Sequence, residues 1–512
     1  MKKHLILTCT CISLIQTLLA APEFDRVFGS HMVIPRNKPI VFSGTATPEL
    51  PVKVTFSEKT LTITPNEKGE WSASFPAQKA NATPQSVTVT QDGESVSLND
   101  ILIGEVWLAS GQSNMKWSLS STPSGKTSIP AADNNQLRIF NNVPQVDAYP
   151  GVYTQKDFDN LKEDAYFQGT WQVSSPQSAA PCSAVAYYFA RDLQKKLNIP
   201  VGIIHTSMGG SEMAAWLPPS EIEDTPEFAP LRGSDWLESK FVAPWAREAA
   251  KVNLNNKTDV NHPFKPAYLF KTGISWMVNF PITGVLWYQG ETDAEVNDNE
   301  LHFLILTRLI KSWRTAFRQE TLPFVMIQLP RINGGRPYWP EFREVQALAA
   351  THIPNVLTIN TIDLGSTDGD IHPPEKIEVG KRTADLIATS IYNLPIEGKF
   401  PTLKKWTIKG EKAFISFDNA KGLTTIDKKA PVGFEIAGQD GIFKPAIAEI
   451  EKNGIISLTS PDVKKPVNIR YCWSTFVSPN LVNKVGLPVF QFRTNPHKMD
   501  SSLIKSVQPN AE

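Results

Sequence analysis

The chain has no net charge: its 512 residues hold 51 Lys plus Arg against 51 Asp plus Glu. Without a basic or acidic excess, no field draws in nucleic acid or a charged membrane surface, so neither is an expected partner. Cysteine is scarce at four residues, and Cys9 and Cys11 fall in the N-terminal segment. Cys182 and Cys472 are left, too few for a disulfide scaffold, and they read either as buried thiols or as one interdomain bridge. No CxxC array and no HExxH helix occurs, which removes the strong zinc signatures. Long apolar runs are missing as well, except at the start.

That start reads MKKHLILTCTCISLIQTLLA, with Lys2 and Lys3 ahead of an apolar segment closing at Ala20 and Ala21. This is the pattern of a signal peptide over residues 1–21, too short and too early for a membrane span. The expectation is an exported protein, periplasmic or extracellular rather than lipid-anchored, with no transmembrane segment in the mature chain. What the sequence has in quantity is aromatic side chains, at 10% with 13 Trp. These suit a core and also the faces of sugar rings.

Residues 22–100 hold short alternating stretches such as PVKVTF, TLTITP and QSVTVTQDG, broken by Gly, Pro, Asn and Asp. Period-two alternation with frequent turns predicts an N-terminal β-sandwich-like domain. From Ile103 the pattern changes to strands alternating with helical stripes. Val185, Phe189, Leu193 and Leu197 form one stripe, and Phe303, Leu306, Ile310, Trp313 and Phe317 another. Strand–helix alternation over 101–396 predicts an α/β domain with a mostly parallel sheet covered on both faces. Within it, 206–275 is rich in Pro and Trp and weakly periodic, and reads as an elaborated loop region over the site. The alternating pattern returns over 397–498 as a C-terminal β-domain, followed by a polar tail, 499–512.

In open parallel sheets, active residues gather at the C-terminal ends of strands, and Ser113, His205 and Gln289 all fall there. A serine hydroxyl is a weak nucleophile until a base and oxyanion donors are brought to it. His372, in the polar loop DLGSTDGDIHPPEK, is the favoured base, with Asp368 and Asp370 near enough in sequence to orient its ring. His205 competes by position. TSMGGSEMAAW offers Gly209 and Gly210 where backbone can approach a ligand, and WYQGETDA offers the Gln289 amide. Glu291 reads as a ligand-binding carboxylate, a loop support or another partner for His372. Glu291 with Asp370 also opens a glycosidase reading, in which two carboxylates flank a glycosidic bond, and a non-catalytic carbohydrate-binding protein is a further alternative.

GEVWLASGQSNM, GVLWYQGETDA, DIHPPEKIEVGKR and RYCWSTFVSPNLVNKVGLPVFQFRT, in that order, resemble the blocks of the sialate O-acetylesterase family of carbohydrate esterases, within the SGNH or GDSL-like hydrolases. The resemblance covers most of the mature chain. It implies an SGNH-hydrolase-like three-layer α/β/α core flanked by N-terminal and C-terminal β-domains. It makes Ser113 the nucleophile, His372 the general base, and the Ser113 N–H, a Gly209 or Gly210 N–H and the Gln289 side chain the oxyanion hole. Broader relatives place the orienting aspartate three residues before the histidine, where this chain has Gly369. Asp370, two residues before, is what the closer family pattern offers and is the favoured acid, with Asp368 and Glu291 as alternates and a Ser–His dyad oriented by backbone as a further option. The implied reaction removes an O-acetyl group from an acetylated oligosaccharide or sialoside, and it calls for no metal or organic cofactor. Gln112, Asn114, Trp216, Tyr288, Gln328, Trp339, Arg343 and Lys376 are the candidate substrate contacts, with packing as the equal alternative for Trp216, Tyr288 and Trp339 and surface or helix-end roles for Gln328, Arg343 and Lys376.

Overall fold

The computed structural model describes residues 21–149, 151–255, 257 and 260–496. The expected signal segment lies outside these residues except for Ala21, and the expected tail 499–512 lies outside them too. The alternating stretches form strands as their period demands. In Val52–Phe56, Val52, Val54 and Phe56 point inward while Lys53 and Thr55 face water. Glu70–Phe75 does the same with Trp71, Ala73 and Phe75. Ile40–Thr45 pairs with Glu70–Phe75, and Val52–Phe56 with Asn81–Gln91, all antiparallel. Phe42, Phe56 and Phe75 join the inward faces in edge-to-face contacts, the arrangement that the ring quadrupole favours.

Strand β1 (Glu94–Gly111) carries the chain out of this layer. Its first part pairs antiparallel with Asn81–Gln91, and its second part lies in a parallel sheet. The expected division near residue 100 therefore falls inside one continuous strand. Every residue from Ile101 to Gly111 is buried, because a strand covered on both faces has no wet side to alternate with.

Five strands join β1: β2 (Asn134–Pro144), β3 (Val201–Ser207), β4 (Gly284–Tyr288), β5 (Phe324–Ile327) and β6 (Val356–Ile359). They run parallel in the order β2-β3-β1-β4-β5-β6. Four longer helices accompany them: α1 (Ala184–Leu197), α2 (Asn299–Ala316), α3 (Trp339–His352) and α4 (Ile377–Ser390). Successive strand residues point to opposite faces. Val106, Leu108, Val285 and Trp287 join one core with Phe303, Ile310 and Trp313 of α2 and Phe342 of α3. Trp107, Ala109, Leu286 and Tyr288 join a second core with Val185, Phe189 and Leu193 of α1 and Ile387 of α4. Each such buried large apolar side chain contributes about 1.5–3 kcal/mol, which is why the helical stripes face the sheet. The Ser183 hydroxyl caps α1 by accepting the Ala186 N–H at 3.2 Å.

The strand order reverses at β1, with β3 on one side and β4 on the other. The crevice at the C-terminal end of β1 is thus the place where an open parallel sheet binds ligands. The described residues between 208 and 275 fold into short helices and turns with a packed interior that includes Trp216, Phe228, Trp236 and Tyr268. In the C-terminal region, the sheet containing Thr402–Lys409 and Lys412–Asp418 and the sheet containing Phe434–Ala437 and Asn468–Tyr471 share a third core around Ile415, Ile436 and Ile469. This region is tied to α3 by Arg493, which donates to Glu344 at 2.8 and 2.5 Å. Among the described residues, no helix is long and apolar enough to cross a membrane.

Candidate active site

β1 ends at Gly111, whose φ of +140° lies in the region that favours glycine; a Cβ there would sit 2.0 Å from the Tyr288 carbonyl oxygen. Beyond it, Gln112 is extended and Ser113 opens a one-turn helix, Ser113–Lys116. The Gln112 side-chain oxygen accepts the Gln289 amide and the Gly290 N–H, both at 3.2 Å, and the Thr292 N–H at 3.4 Å. The buried end of β1 is thereby bolted to the loop after β4, and Ser113 is held at the rim.

His372 arrives from the loop between β6 and α4. Its Nε2 lies 2.8 Å from Ser113 Oγ, and its Nδ1 lies 3.0 Å from Asp370 Oδ1. With Nδ1–H donating to the carboxylate, Nε2 is left to accept the serine proton, which is the tautomer that general-base catalysis requires. The same Asp370 oxygen accepts the His372 backbone N–H at 2.9 Å, and Asp368 accepts the Asp370 N–H at 3.1 Å. The Trp117 ring stacks on the imidazole, with centroids 5.4 Å and planes 19° apart. Asp368 therefore acts one step out, on Asp370 and not on the ring.

His205 is differently placed. Its Nδ1 donates to Asn141 at 2.7 Å and its Nε2 accepts the Ser207 hydroxyl at 2.7 Å. Burial, aided by nearby Lys116, pushes its pKa down to about 3. Both ring nitrogens are occupied, so the base role that its sequence position suggested is not open to it.

The two glycines separate in the structure. Gly209 lines the same pocket as Ser113 and His372, and the Ser113 and Gly209 backbone N–H groups find no acceptor among the described residues. Gly210, whose N–H likewise finds no acceptor among the described residues, has φ +74°, and an added Cβ there would collide with Tyr149, Trp245 and Phe264. The expectation for Gln289 is corrected. Its side chain is fully buried, and its NH2 already faces the Gln112 oxygen at 3.2 Å, the Ser211 carbonyl at 3.1 Å and the Asp293 carboxylate. Two protons shared among three acceptors leave none for an oxyanion, so Gln289 is a brace.

Glu291 is likewise fully buried and accepts from the Asn114 amide instead of meeting His372. Burial raises its pKa. Asn114, expected at the substrate, is buried and also donates to the Ile371 carbonyl at 2.9 Å and accepts from Lys376 Nζ at 2.6 Å. Gln112 is spent on the β4 loop, as described. Trp216, Tyr288 and Trp339 are core side chains, with the indoles donating to Ser211 Oγ at 2.9 Å and the Pro330 carbonyl at 2.6 Å. Gln328 donates to the Arg343 carbonyl at 2.9 Å. Arg343 is buried and spans to Gln491, Ser474 and Thr475 of the C-terminal region. These residues occupy strand-end and helix positions, but alternation cannot tell which end-residue faces the cleft. Cys182 and Cys472 are free, buried thiols, each pushed up to about 12 by burial, and no bridge joins them.

Ser113, Gly209 and His372 open into a pocket of about 490 Å³. Its walls include Lys116, Trp117, Asn141, Asp147, Tyr149 and Pro181. Lys116 and Asp147 pair at 3.4 Å on the rim. Tyr149 is 58% exposed, yet its ring is backed by Trp245 in a parallel stack 6.3 Å away and 11° off. Sequence reasoning passed over these walls. Lys116 and Trp117 sit in the same block as Ser113, a signal that was available, whereas Tyr149 lies in an irregular stretch with no pattern to mark it. A larger cavity of about 640 Å³ lies between β6, α4 and the C-terminal region, but its lining carries no acid–base pair.

Comparison with known proteins follows the same lines. Residues 269–389, which include Gln289, Asp370 and His372, match the family model "SASA: Carbohydrate esterase, sialic acid-specific acetylesterase". A sialate O-acetylesterase of Mus musculus is 28% identical over 343 residues, 60% of this chain and 60% of that protein. One from Homo sapiens is 25% identical over 334 residues, 60% of this chain and 58% of its own. The chain thus spans 60% of the length of the mouse relative it matches. The crystal structure of a carbohydrate acetylesterase from Xanthomonas citri is similar with a TM-score of 0.78 at 29% identity, covering 93% of this chain and 100% of that one.

Proposed function

We propose that this chain, a member of the sialate O-acetylesterase family, is a serine esterase that hydrolyses O-acetyl esters on carbohydrates through an acetyl-enzyme. The observation that carries the reading is the 2.8 Å contact between Ser113 Oγ and His372 Nε2 at the base of the pocket. His372 takes the Ser113 proton as Oγ attacks the acetyl carbonyl, and the free N–H groups of Ser113 and Gly209 are the donors for the resulting oxyanion. Collapse breaks the bond to the sugar oxygen, which leaves with the proton from His372. Water, deprotonated by the same Nε2, then attacks the acetyl-serine and releases acetate.

The core is read as SGNH-like, a three-layer α/β/α unit, with the flanking β-regions as supports and residues 1–21 as an export signal. The substrate range runs from acetylated sialosides to plant glycans such as xylan. The backed face of Tyr149 suits a pyranose ring. Lys116, paired with Asp147 only at 3.4 Å and with both side chains partly exposed, leaves a cation at the rim that an acidic sugar can still meet. A glycosidase would need two carboxylates facing the bond, and Glu291 is buried behind Asn114. An acetate-release screen over acetylated sialosides, xylo-oligosaccharides and mannans tests the reading. Acetate from at least one is expected, and loss of it in Ser113→Ala separates an esterase from a carbohydrate-binding protein. New reducing ends without acetate would overturn it.

A further inference from the structure

His372 is brought to Ser113 by a loop, and its acid partner gives little rigidity. Asp370 lies two residues away on the same loop and its side chain is 52% exposed, so water competes for and screens that contact. Something else must fix the height of the imidazole. The two carbonyls that bracket His372 are both gripped from below. Asn114 Nδ2 donates to the Ile371 carbonyl at 2.9 Å, and Lys376 Nζ donates to the Pro373 carbonyl at 2.5 Å. Lys376 also donates to Asn114 Oδ1 at 2.6 Å, and the Asn114 amide donates to Glu291. A buried acid and a buried amine thus hold opposite ends of one amide, whose residue is the neighbour of Ser113. All three side chains are essentially inaccessible to solvent.

We propose that Lys376, Asn114 and Glu291 are positioning residues that clamp the backbone on both sides of His372 and so set its imidazole against Ser113. None of the three lines the pocket, so the clamp acts through the residues it holds. Its burial has electrostatic consequences. Lys376 is pushed down to about 7 by desolvation, against the opposing pull of Glu291, Asp370 and Glu375, while burial raises Glu291. An ammonium placed there without Asn114 and the Pro373 carbonyl would be strongly disfavoured. The Lys376 ammonium also lies 5.6 Å over the Trp117 ring, which in turn stacks on His372. The same lysine therefore supports the imidazole from its face as well as through its backbone.

The proposal rests on Ser113 and His372 acting as nucleophile and base, so its test separates the two ideas. Wild-type protein is treated with a fluorophosphonate, which reacts with an activated serine without needing a sugar, and Ser113 labelling is followed by intact mass alongside hydrolysis of a small acetyl ester. Absence of labelling in the wild type would defeat the esterase reading itself. Given labelling, Lys376→Met should lower kcat and the labelling rate together, on the order of 100-fold, as a displaced catalytic group does. KM and the thermal midpoint should stay near wild type, and Lys376→Arg should recover part of the rate. Asn114→Ser, which removes the grip on Ile371, should act in the same direction and carries the test if Lys376→Met does not fold. Wild-type kcat in either folded variant, or a change confined to KM, would overturn the proposal. Unfolding of both would assign the network to stability and overturn it as well.

Discussion

The two halves of the Ser113–His372 pair are built in opposite ways. Ser113 stands at the end of a central strand, where Gly111 allows the close approach of β4 and the Gln112 oxygen gathers three donors from the following loop. His372 stands on a polar loop of Asp, Gly, Ser and Pro with a half-exposed acid. Ser113 inherits its position from sheet register, held by the tight Gly111–Tyr288 approach and by the Gln112 side chain. The loop that carries His372 is instead gripped by side chains, Asn114 on the Ile371 carbonyl and Lys376 on the Pro373 carbonyl. Precision on the sheet side is a property of the fold, whereas on the loop side it must be supplied locally.

The largest effect that sharpens this contrast is loss of the pair itself. Ser113→Ala or His372→Ala should lower acetate release by about 10⁴-fold or more, measured as kcat/KM, with thermal stability unchanged. Any substantial residual activity would remove the serine from the account. Next is the sheet side: Gly111→Ala puts a Cβ 2.0 Å from the Tyr288 carbonyl at a φ unfavourable for alanine. It should cost about 3 kcal/mol of stability in denaturant unfolding, and an unperturbed midpoint would show that β1 and β4 can part.

On the loop side, Asp370→Asn should cost far less than the roughly 10⁴-fold that follows loss of a buried triad aspartate, because Asp370 is solvated. A loss of that full size would mean that the exposed acid orients the ring after all. A smaller effect concerns Tyr149. Tyr149→Ala should weaken oligosaccharide binding by about 0.5–1.5 kcal/mol, seen as a few-fold rise in KM, with turnover of a small acetyl ester unaffected.

The buried braces behind Ser113 give a pH signature. Asp293 accepts the Met213 N–H at 3.2 Å together with the Gln289 amide, and burial raises its pKa from 3.8 to about 7. In that window the native state holds a proton that the unfolded chain has released. Asp293 therefore contributes stability at low pH that is lost as pH rises from about 4 toward 7. Thermal unfolding across this range should show a decline that flattens in Asp293→Asn; identical pH curves for the two proteins would contradict the assignment.

Much of this was legible in the sequence, for identifiable reasons. The stripes Val185–Leu193 and Phe303–Trp313 reach the sheet because their period matches the helix, and PVKVTF alternates because one face is wet. Ser113 and His372 could be chosen because each ends a strand or sits in a polar loop at the same rim, Asp370 because the family resemblance offers it over Asp368, and the three do meet. The pattern fails where direction matters more than position. Gln289, Glu291, Asn114 and Arg343 have the chemistry of substrate contacts, yet all point into the interior, and no periodicity distinguishes the two outcomes. The split between Gly209 and Gly210 has the same origin, since it depends on backbone torsions that adjacent glycines do not reveal. Tyr149 was missed because an irregular segment carries no period at all.

The most direct test of the central claim is rapid-quench peptide mass mapping during turnover of an acetylated oligosaccharide that the enzyme deacetylates. A transient acetyl group on Ser113, formed and lost at rates consistent with turnover and absent in His372→Ala, is the predicted result. Acetate release at the wild-type rate by Ser113→Ala, or an acetyl group trapped on another residue, would contradict it.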